Sequence, residues 1–387
     1  MRTANITINT SALVHNLAYV QKQAPHSKVL AMVKANAYGH GVLACLPALT
    51  TANALGVATF AEALQIREAG WEKPIIMIEG AFSQAEWQQT QQLNISCVIH
   101  HQAQLDWALQ SALQEASQSS PQLQQTIWLK VNTGMNRLGF SPEQIPDIAQ
   151  QLSCAGYHII LTSHFANADE VDHPLNAQQY NTFDQLLRHL KQHINANIQG
   201  SLCNSAGIMH FPEYHYDWVR PGIMLYGSSP ITGTSAQQLG LQAVMRFSTE
   251  LMAIDNIPSQ TPVGYGSRFI APHPIKKGII SVGYGDGYPR VISEAGWVAL
   301  QQDGNTYHCP IIGRVAMDMI AIDLSAVPHP QVGDSVILWG HTDTKLNETN
   351  AHGKHIVPHV DDVASWADTI GYELLCRLSN RPTRIRI

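Results

Sequence analysis

Residues 29–34 read VLAMVK, five apolar residues followed by a lysine. Such a run lacks the alternation of a half-exposed strand. It reads instead as a strand buried on both faces, as in a parallel sheet covered by helices. Seven further runs of this kind follow: ALGVAT at 54–59, PIIMIEG at 74–80, ISCVIH at 95–100, TIWLKV at 126–131, HIILTSH at 158–164, GSLCN at 200–204 and YDWVRPG at 216–222. Helical patterns separate most of them. FAEALQIREAG (60–70) puts Ala61, Leu64 and Ile66 near one face and stops at Gly70. QLDWALQSALQEAS (104–117) repeats Leu105, Leu109 and Leu113 at period four, and YNTFDQLLRHLKQHI (180–194) does so with Tyr180, Phe183, Leu187 and Leu190. Strand and helix alternating eight times predict a (β/α)8 TIM barrel over residues 1–235. The competing arrangement is an open doubly wound sheet, but no G-x-G-x-x-G follows an early strand to favour it.

After residue 235 the rhythm changes. MRFSTELMAIDNI (245–257), IKKGIISVGYG (275–285), the long run from Trp297 to Leu324 and GDSVILWG (333–340) alternate apolar and polar residues. Asp303-Gly304 is a hairpin signal. These features predict a mostly antiparallel β C-terminal domain over 236–387, with one helix near its end from VDDVASWADTIGYELLCRL. SALVHNLAYVQKQA (11–24) reads as an N-terminal helix capped by Thr10 or Ser11. The Gln-rich stretch at 84–125 keeps its apolar spacing and reads as solvated helix faces and loop.

Composition removes whole classes of function. The chain has 387 residues and a net charge of −6, so no bulk positive charge draws it to nucleic acid. No apolar stretch approaches the ~18 residues of a membrane span, and MRTANITINT lacks a signal-peptide core, so a cytoplasmic protein is expected. The six cysteines form no CxxC pair and read as reduced, buried side chains. His352, His355 and His359 with Asp361 and Asp362 lie in what reads as a solvated loop, GHTDTKLNETNAHGKHIVPHV, so no metal is expected there. His210 and His215 flank a Pro-containing loop and read as structural.

In a barrel of this class, chemistry gathers at the C-terminal ends of the strands. The first strand ends in Lys34, whose amine at the tip of a buried strand is costly to desolvate and available for a Schiff base. The fifth ends in Lys130, with Arg137 seven residues on, and the sixth ends in His164. Asn204 and Ser205 follow the seventh strand, and Arg220, Gly222 and Ile223 follow the eighth. A hydroxyl and backbone N–H groups on the last two loops suit a phosphate dianion. A lysine and a phosphate cradle at one barrel mouth imply pyridoxal 5′-phosphate, with Arg220 placed for its ring nitrogen.

Eight segments in order carry a family resemblance. VKANAYGHG (33–41), KVNTGMNRLGF (130–140), SHFANAD (163–169), NSAG (204–207) with VRPGIMLYG (219–227), VGYGSRF (263–269), VGYGDGYPR (282–290), GRVAMDM (313–319) and TIGYELLC (369–376) together resemble the alanine racemases, pyridoxal-phosphate isomerases of fold type III. The resemblance implies interconversion of L- and D-alanine, supplying D-alanine for peptidoglycan. It makes Lys34 and Tyr265 the two bases, one on each face of the substrate, with Tyr265 linked through His164 to Arg220. It gives the phosphate to Tyr38, Ser205, Tyr372 and the N–H groups of Gly222 and Ile223, and the substrate carboxylate to Arg137 and the Met317 N–H. Lys130 becomes a candidate carbamate that orients Arg137. Asn132, Gly264 and Ala316 depart from the residues common in the family. Asp318 is either a site carboxylate or a turn residue. The resemblance also implies a homodimer with shared sites. The alternatives are a broad-specificity amino-acid racemase of the same fold, a non-catalytic pyridoxal-phosphate-binding barrel, and a related decarboxylase, which would present an acid where this chain has Arg220.

Overall fold

A computed structural model describes residues 3–116, 125–342 and 356–387. All eight early runs are strands: β2 (Lys28–Met32), β3 (Ala54–Val57), β4 (Ile75–Met77), β5 (Ile95–Ile99), β6 (Thr126–Lys130), β7 (His158–Thr162), β8 (Gln199–Ser201) and β9 (Trp218–Val219), preceded in the chain by β1 (Asn5–Ile8). They pair in parallel in the order β8-β7-β6-β5-β4-β3-β2-β9. Main-chain bonds from Asp217 N–H to Gly200 O (3.1 Å) and from Arg220 N–H to Cys203 O (3.0 Å) join β9 to β8 and close the barrel. β3 is buried throughout its length, and β7 is buried beyond its first residue, which is why these runs carry no alternation.

The helices cover this barrel with some faces other than those predicted. Helix Phe60–Glu68 is capped by a Thr59–Glu62 capping box and buries Ala63 and Ile66, while Ala61 is exposed. Helix Gln102–Ala116 buries Leu105 and Ala108 and leaves Leu113 74% exposed. Helix Pro174–His193 buries Phe183, Leu187 and Leu190 as expected. Helix Thr10–Gln23 takes its cap from Asn9, whose side chain accepts from Ala12 N–H at 3.0 Å, one residue earlier than predicted.

The second sheet contains β10 (Met245–Ile257), β13 (Ile275–Ile280), β14 (Trp297–Gln302), β15 (Asn305–Ile312), β16 (Ile320–Asp323), β17 (Ser335–Trp339) and β18 (Thr383–Arg386); the short pair β11 (Pro262–Val263) and β12 (Phe269–Ile270) stands apart. The 13-residue β10 pairs with β17 along its first part and β13 along its second, so the antiparallel sheet closes on itself. The β14–β15 hairpin turns on Asp303 and Gly304, both with positive φ. β1 lies in this sheet, antiparallel to β10 and parallel to β18, so the chain starts in the β sheet before it enters the barrel.

The single late helix is two, Val360–Trp366 and Gly371–Arg377, parted where Asp368 takes a left-handed φ of 54°. His359 is not solvated. It is buried at the cap of the first of these helices; His352 and His355 lie outside the described residues. Cys45, Cys97, Cys203 and Cys309 are buried, but Cys154 and Cys376 are exposed, against expectation. His210 and His215 bond the carbonyls of Ala168 and Ile208, in keeping with structural roles. Among the described residues, no helix is long and apolar enough to cross a membrane.

Candidate active site

A cavity of about 620 Å³ opens at the C-terminal ends of the barrel strands. Lys34, Tyr38, Lys130, Arg137, His164, Asn204, Ser205, Arg220, Gly222, Ile223 and Tyr372 all line it, so the structure gathers these sequence-predicted residues from five strand ends and one late helix.

Lys34 begins a turn that no sequence rule announces. Ala35, Asn36, Ala37 and Tyr38 all have φ between 52° and 55°, a left-handed turn without a glycine. Each such residue costs roughly 1–2 kcal/mol, so surrounding contacts must hold the turn. Glu62 supplies one: its Oε1 accepts from Ala35 N–H at 2.7 Å and its Oε2 from Ala58 N–H at 2.8 Å. Asn36 Oδ1 accepts from Val42 N–H at 2.8 Å. Gly39 ends the turn where a Cβ would collide with the Leu375 carbonyl. The turn aims Tyr38 into the cavity, stacked on Tyr226 with ring centroids 4.9 Å apart, and the Tyr226 hydroxyl is fixed on Met32 O at 2.8 Å.

The residues expected to hold a phosphate lie together at the cavity wall. Asn204 caps helix Ser205–His210 through a bond from Gly207 N–H (2.9 Å). Gly222 N–H donates to Ser205 Oγ at 2.8 Å, and a Cβ on Gly222 would lie 2.5 Å from the Tyr38 hydroxyl. Burial pushes the hydroxyls of Tyr38 and Tyr372 up in pKa, and their mutual proximity adds to this for Tyr38, so both stay protonated donors.

Arg220 is buried without an acidic partner among its described contacts. It donates from Nη1 to Thr162 Oγ1 (3.1 Å) and Ser201 Oγ (2.6 Å), and from Nη2 to Leu202 O (3.1 Å) and Ser163 O. Its Nη2 also faces His164 Nδ1 at 3.5 Å. Burial pulls the Arg220 pKa down to about 10, still a cation at neutral pH. Burial, then Arg220, Lys130, Arg137 and Lys34, hold His164 well below its ordinary pKa and therefore neutral. Lys130 falls to about 7, through burial first and then Arg220, Arg137 and Lys34. Beside it, a water-sized cavity is lined by Lys130, Asn132, Arg137 and His164. Asn132 is occupied elsewhere: its Oδ1 accepts from Gly134 and Asn136 N–H, which shapes the turn carrying Arg137.

Tyr265 and Met317 are different. Neither lines the cavity, and they are 72% and 52% exposed on turns of the C-terminal sheet. Asp318 is engaged in an ion pair with Arg381. Sequence reasoning passed over Glu62, Thr162, Ser201, Tyr226, Glu79 and Cys376. The first four act on cavity residues through bonds that span 19 positions or more, and Thr162, Glu79 and Cys376 line the cavity itself.

Comparison with known proteins gives the family. The family model described as alanine racemase, N-terminal domain, matches residues 8–230, and that of the alanine racemase C-terminal domain matches 244–386. The chain belongs to the alanine racemase family. The alanine racemase of Psychrobacter sp. (strain PRwf-1) is 55% identical over 387 residues, covering 99% of both chains. The solved alanine racemase from Acinetobacter baumannii superposes with a TM-score of 0.88 at 44% identity, covering all of both chains. That from Bartonella henselae, described with covalently bound pyridoxal phosphate, gives 0.84 at 28% identity over the full length of both. Both domains of the alanine racemase family are thus present on this chain.

Proposed function

We propose that the chain is a cytoplasmic, homodimeric alanine racemase that holds pyridoxal 5′-phosphate at the barrel mouth and supplies D-alanine for peptidoglycan. In this reading residues 1–235 bind the cofactor and residues 236–387 supply the second base. The observation that carries it is the convergence of Lys34, buried Arg220 and the Ser205–Gly222 cradle on one cavity. The donor set fits the cofactor: the space left by the missing Gly222 Cβ, the hydroxyls of Tyr38, Ser205 and Tyr372, and the N–H groups of Gly222 and Ile223 suit its phosphate. Arg220 stands where a cation, rather than an acid, would meet its ring nitrogen. When bound, the cofactor takes up electron density from the substrate's Cα and so makes its proton removable.

The chain's own residues do the rest. Lys34 Nζ anchors the cofactor and moves a proton on one face of Cα, and Tyr265 moves one on the other. A single base would return the proton to the face it left. With Arg220 donating to His164 Nδ1, the neutral imidazole carries its proton on Nε2, where it can donate to the Tyr265 oxygen. Arg220, a cation there, would keep the cofactor's ring nitrogen unprotonated, which would weaken the electron sink and limit side reactions. Arg137 and the Met317 N–H hold the substrate carboxylate. Lys130, with a pKa of about 7, is neutral often enough to add carbon dioxide: an N–C bond forms, the nitrogen loses a proton, and the carbamate anion orients Arg137.

The exposure of Tyr265 and Met317 supports sites completed by a second copy of the chain. Co-expression tests this. Lys34→Ala and Tyr265→Ala are each dead; in a mixed dimer one site collects both lesions and the other is intact, so random pairing restores roughly a quarter of sites. No recovered activity, with mixed dimers shown present, rejects the shared site. Chiral chromatography of a panel of L-amino acids tests the substrate. Comparable turnover of many side chains would favour the broad-specificity reading, and turnover of none would favour a non-catalytic barrel.

A further inference from the structure

We infer that Arg381 is a positioning residue that aims the Met317 N–H at the substrate carboxylate. The inference rests on the role given to Met317 above. The segment Ala316–Met319 does not hold itself in place. It closes on one internal bond, from Ala316 N–H to Met319 O at 3.1 Å. Otherwise it hangs from a neighbouring turn: Tyr284 N–H donates to Ala316 O at 3.0 Å and Gly285 N–H to Met317 O at 2.9 Å. The aim of the Met317 peptide therefore depends on the turn Gly283–Gly287.

That turn is built around a buried charge. Asp286 is fully buried, and its Oδ2 accepts from Gly283 N–H at 2.9 Å. A buried carboxylate is costly unless a cation meets it. Arg381 is that cation, with Nε 3.4 Å from Asp286 Oδ1. The same guanidinium reaches the carboxylate segment directly: Nη2 donates to Asp318 Oδ1 at 2.6 Å, one residue from Met317. It packs so closely on the turn that a Cβ at Gly285 would collide with it. Arg381 is itself held, because its N–H donates to Ser379 Oγ at 3.2 Å and Ser379 N–H donates to Asp286 O at 3.1 Å. One forked side chain thus ties the turn and the segment hanging from it into a single body. A lysine, with a compact ammonium, cannot span both carboxylates. Arg381 also follows helix Gly371–Arg377, whose Tyr372 lines the barrel cavity. The residue therefore fixes the substrate-carboxylate segment to the helix that serves the phosphate.

The test uses the full-length holoenzyme and four variants: Arg381→Ala, Arg381→Lys, Asp318→Asn and, as a control on the underlying reading, Met317→Pro, which removes the N–H in question. The measurements are KM and kcat for alanine, the Ki of propionate, a carboxylate with no amine, and the thermal midpoint. We expect Arg381→Ala and Asp318→Asn to raise KM and the propionate Ki together by about tenfold, with kcat little changed, the pattern of lost uniform binding. Arg381→Lys should recover part of the loss. Asp318→Asn keeps the pair between Arg381 and Asp286, so it decides the matter even if Arg381→Ala does not fold. A lowered midpoint with unchanged KM and Ki would make the arginine merely structural and overturn the inference. If Met317→Pro alone raises both constants, the inference falls and the role of Met317 stands. If Met317→Pro changes neither, that role falls and the inference with it.

Discussion

In the proposed site, the barrel mouth and the turns of the C-terminal sheet bring residues to the same chemistry under opposite conditions. At the barrel mouth, Arg220 is buried with five hydrogen-bond acceptors or facing nitrogens around it, and Tyr38 is clamped between Gly222 and Tyr226. On the sheet, Tyr265 follows Gly264 (φ 72°) and precedes Gly266 (φ 69°), with most of its ring exposed. The first region is preorganised by its own chain, and its protonation states are already set by burial and by neighbouring cations. The second has its backbone in place and lacks surroundings. In the proposed shared site one half is fixed by folding and the other would be completed by assembly, so lesions in the two halves should fail differently.

The sharpest contrast comes from Lys34→Ala, which should abolish activity and cofactor retention together. In the unaltered protein, borohydride should fix the cofactor on the peptide containing Lys34; label on a different lysine would break the assignment. Tyr265→Phe should cost less, about 10²–10⁴-fold in rate, the usual worth of a general acid–base group. It should leave the cofactor's absorbance in place. Near-normal racemisation in that variant would remove the second base from the sheet and end the comparison.

Lys130 tests the preorganised half from another direction. Its pKa is about 7 in the folded chain against an ordinary 10.5. Between those values the unfolded chain holds the proton and the folded chain does not, so this group makes stability rise with pH across the window. Lys130→Met should flatten that rise in denaturant melts. It should also lower activity by up to ~10²-fold through a misplaced Arg137. Intact mass under gentle conditions should show an added carboxylate on Lys130, and bicarbonate should restore activity after acid treatment. A bare ammonium and no response to bicarbonate would remove the carbamate while leaving the pH slope to stand on burial and the neighbouring cations.

The same division explains what was legible in the sequence. All eight barrel strands could be read because burial on both faces leaves continuous apolar runs, and their last residues then gave Lys34, Lys130, His164 and Arg220. The left-handed turn at 35–38 could not be read, since Ala-Asn-Ala-Tyr contains no glycine to mark it and Glu62, which holds it, lies on helix Phe60–Glu68, beyond β3. β1 was missed because four residues beside a helix gain their meaning only from β10, some 240 positions away. His359 was misread for a related reason. Polar neighbours in the chain look like a solvated loop, whereas its burial comes from the barrel end folding over it.

That histidine provides the smallest test, of whether the two regions behave as one body. His359 Nε2 bonds Gly227 O at 2.9 Å, and its Nδ1 lies 3.2 Å from Asp361 Oδ2. Asp361 in turn accepts from Ser228 Oγ at 2.5 Å and Ser229 N–H at 2.9 Å. The barrel's last segment is thus pinned to helix Val360–Trp366, and through it to the helix bearing Tyr372. Burial lowers the His359 pKa, but the Asp361 carboxylate and its hydrogen bond outweigh this and leave it raised above 6.5. Burial likewise raises Asp361, and His359 outweighs it to leave that carboxyl below 3.8. The histidine's share of stability is therefore full below pH 6.5 and lost as pH rises through its folded value. The aspartate's share is present above 3.8 and lost as pH falls. His359→Asn should cost about 1.5–3 kcal/mol between those limits, the range for a hydrogen bond to a charged group, and less at pH 9. Racemisation at neutral pH should barely change. Thermal melts of both proteins from pH 5 to 9 check this. A difference that stays constant across that range would mean a neutral cap rather than an ion pair, and two separate transitions in the variant would show that this contact is what makes barrel and sheet melt together.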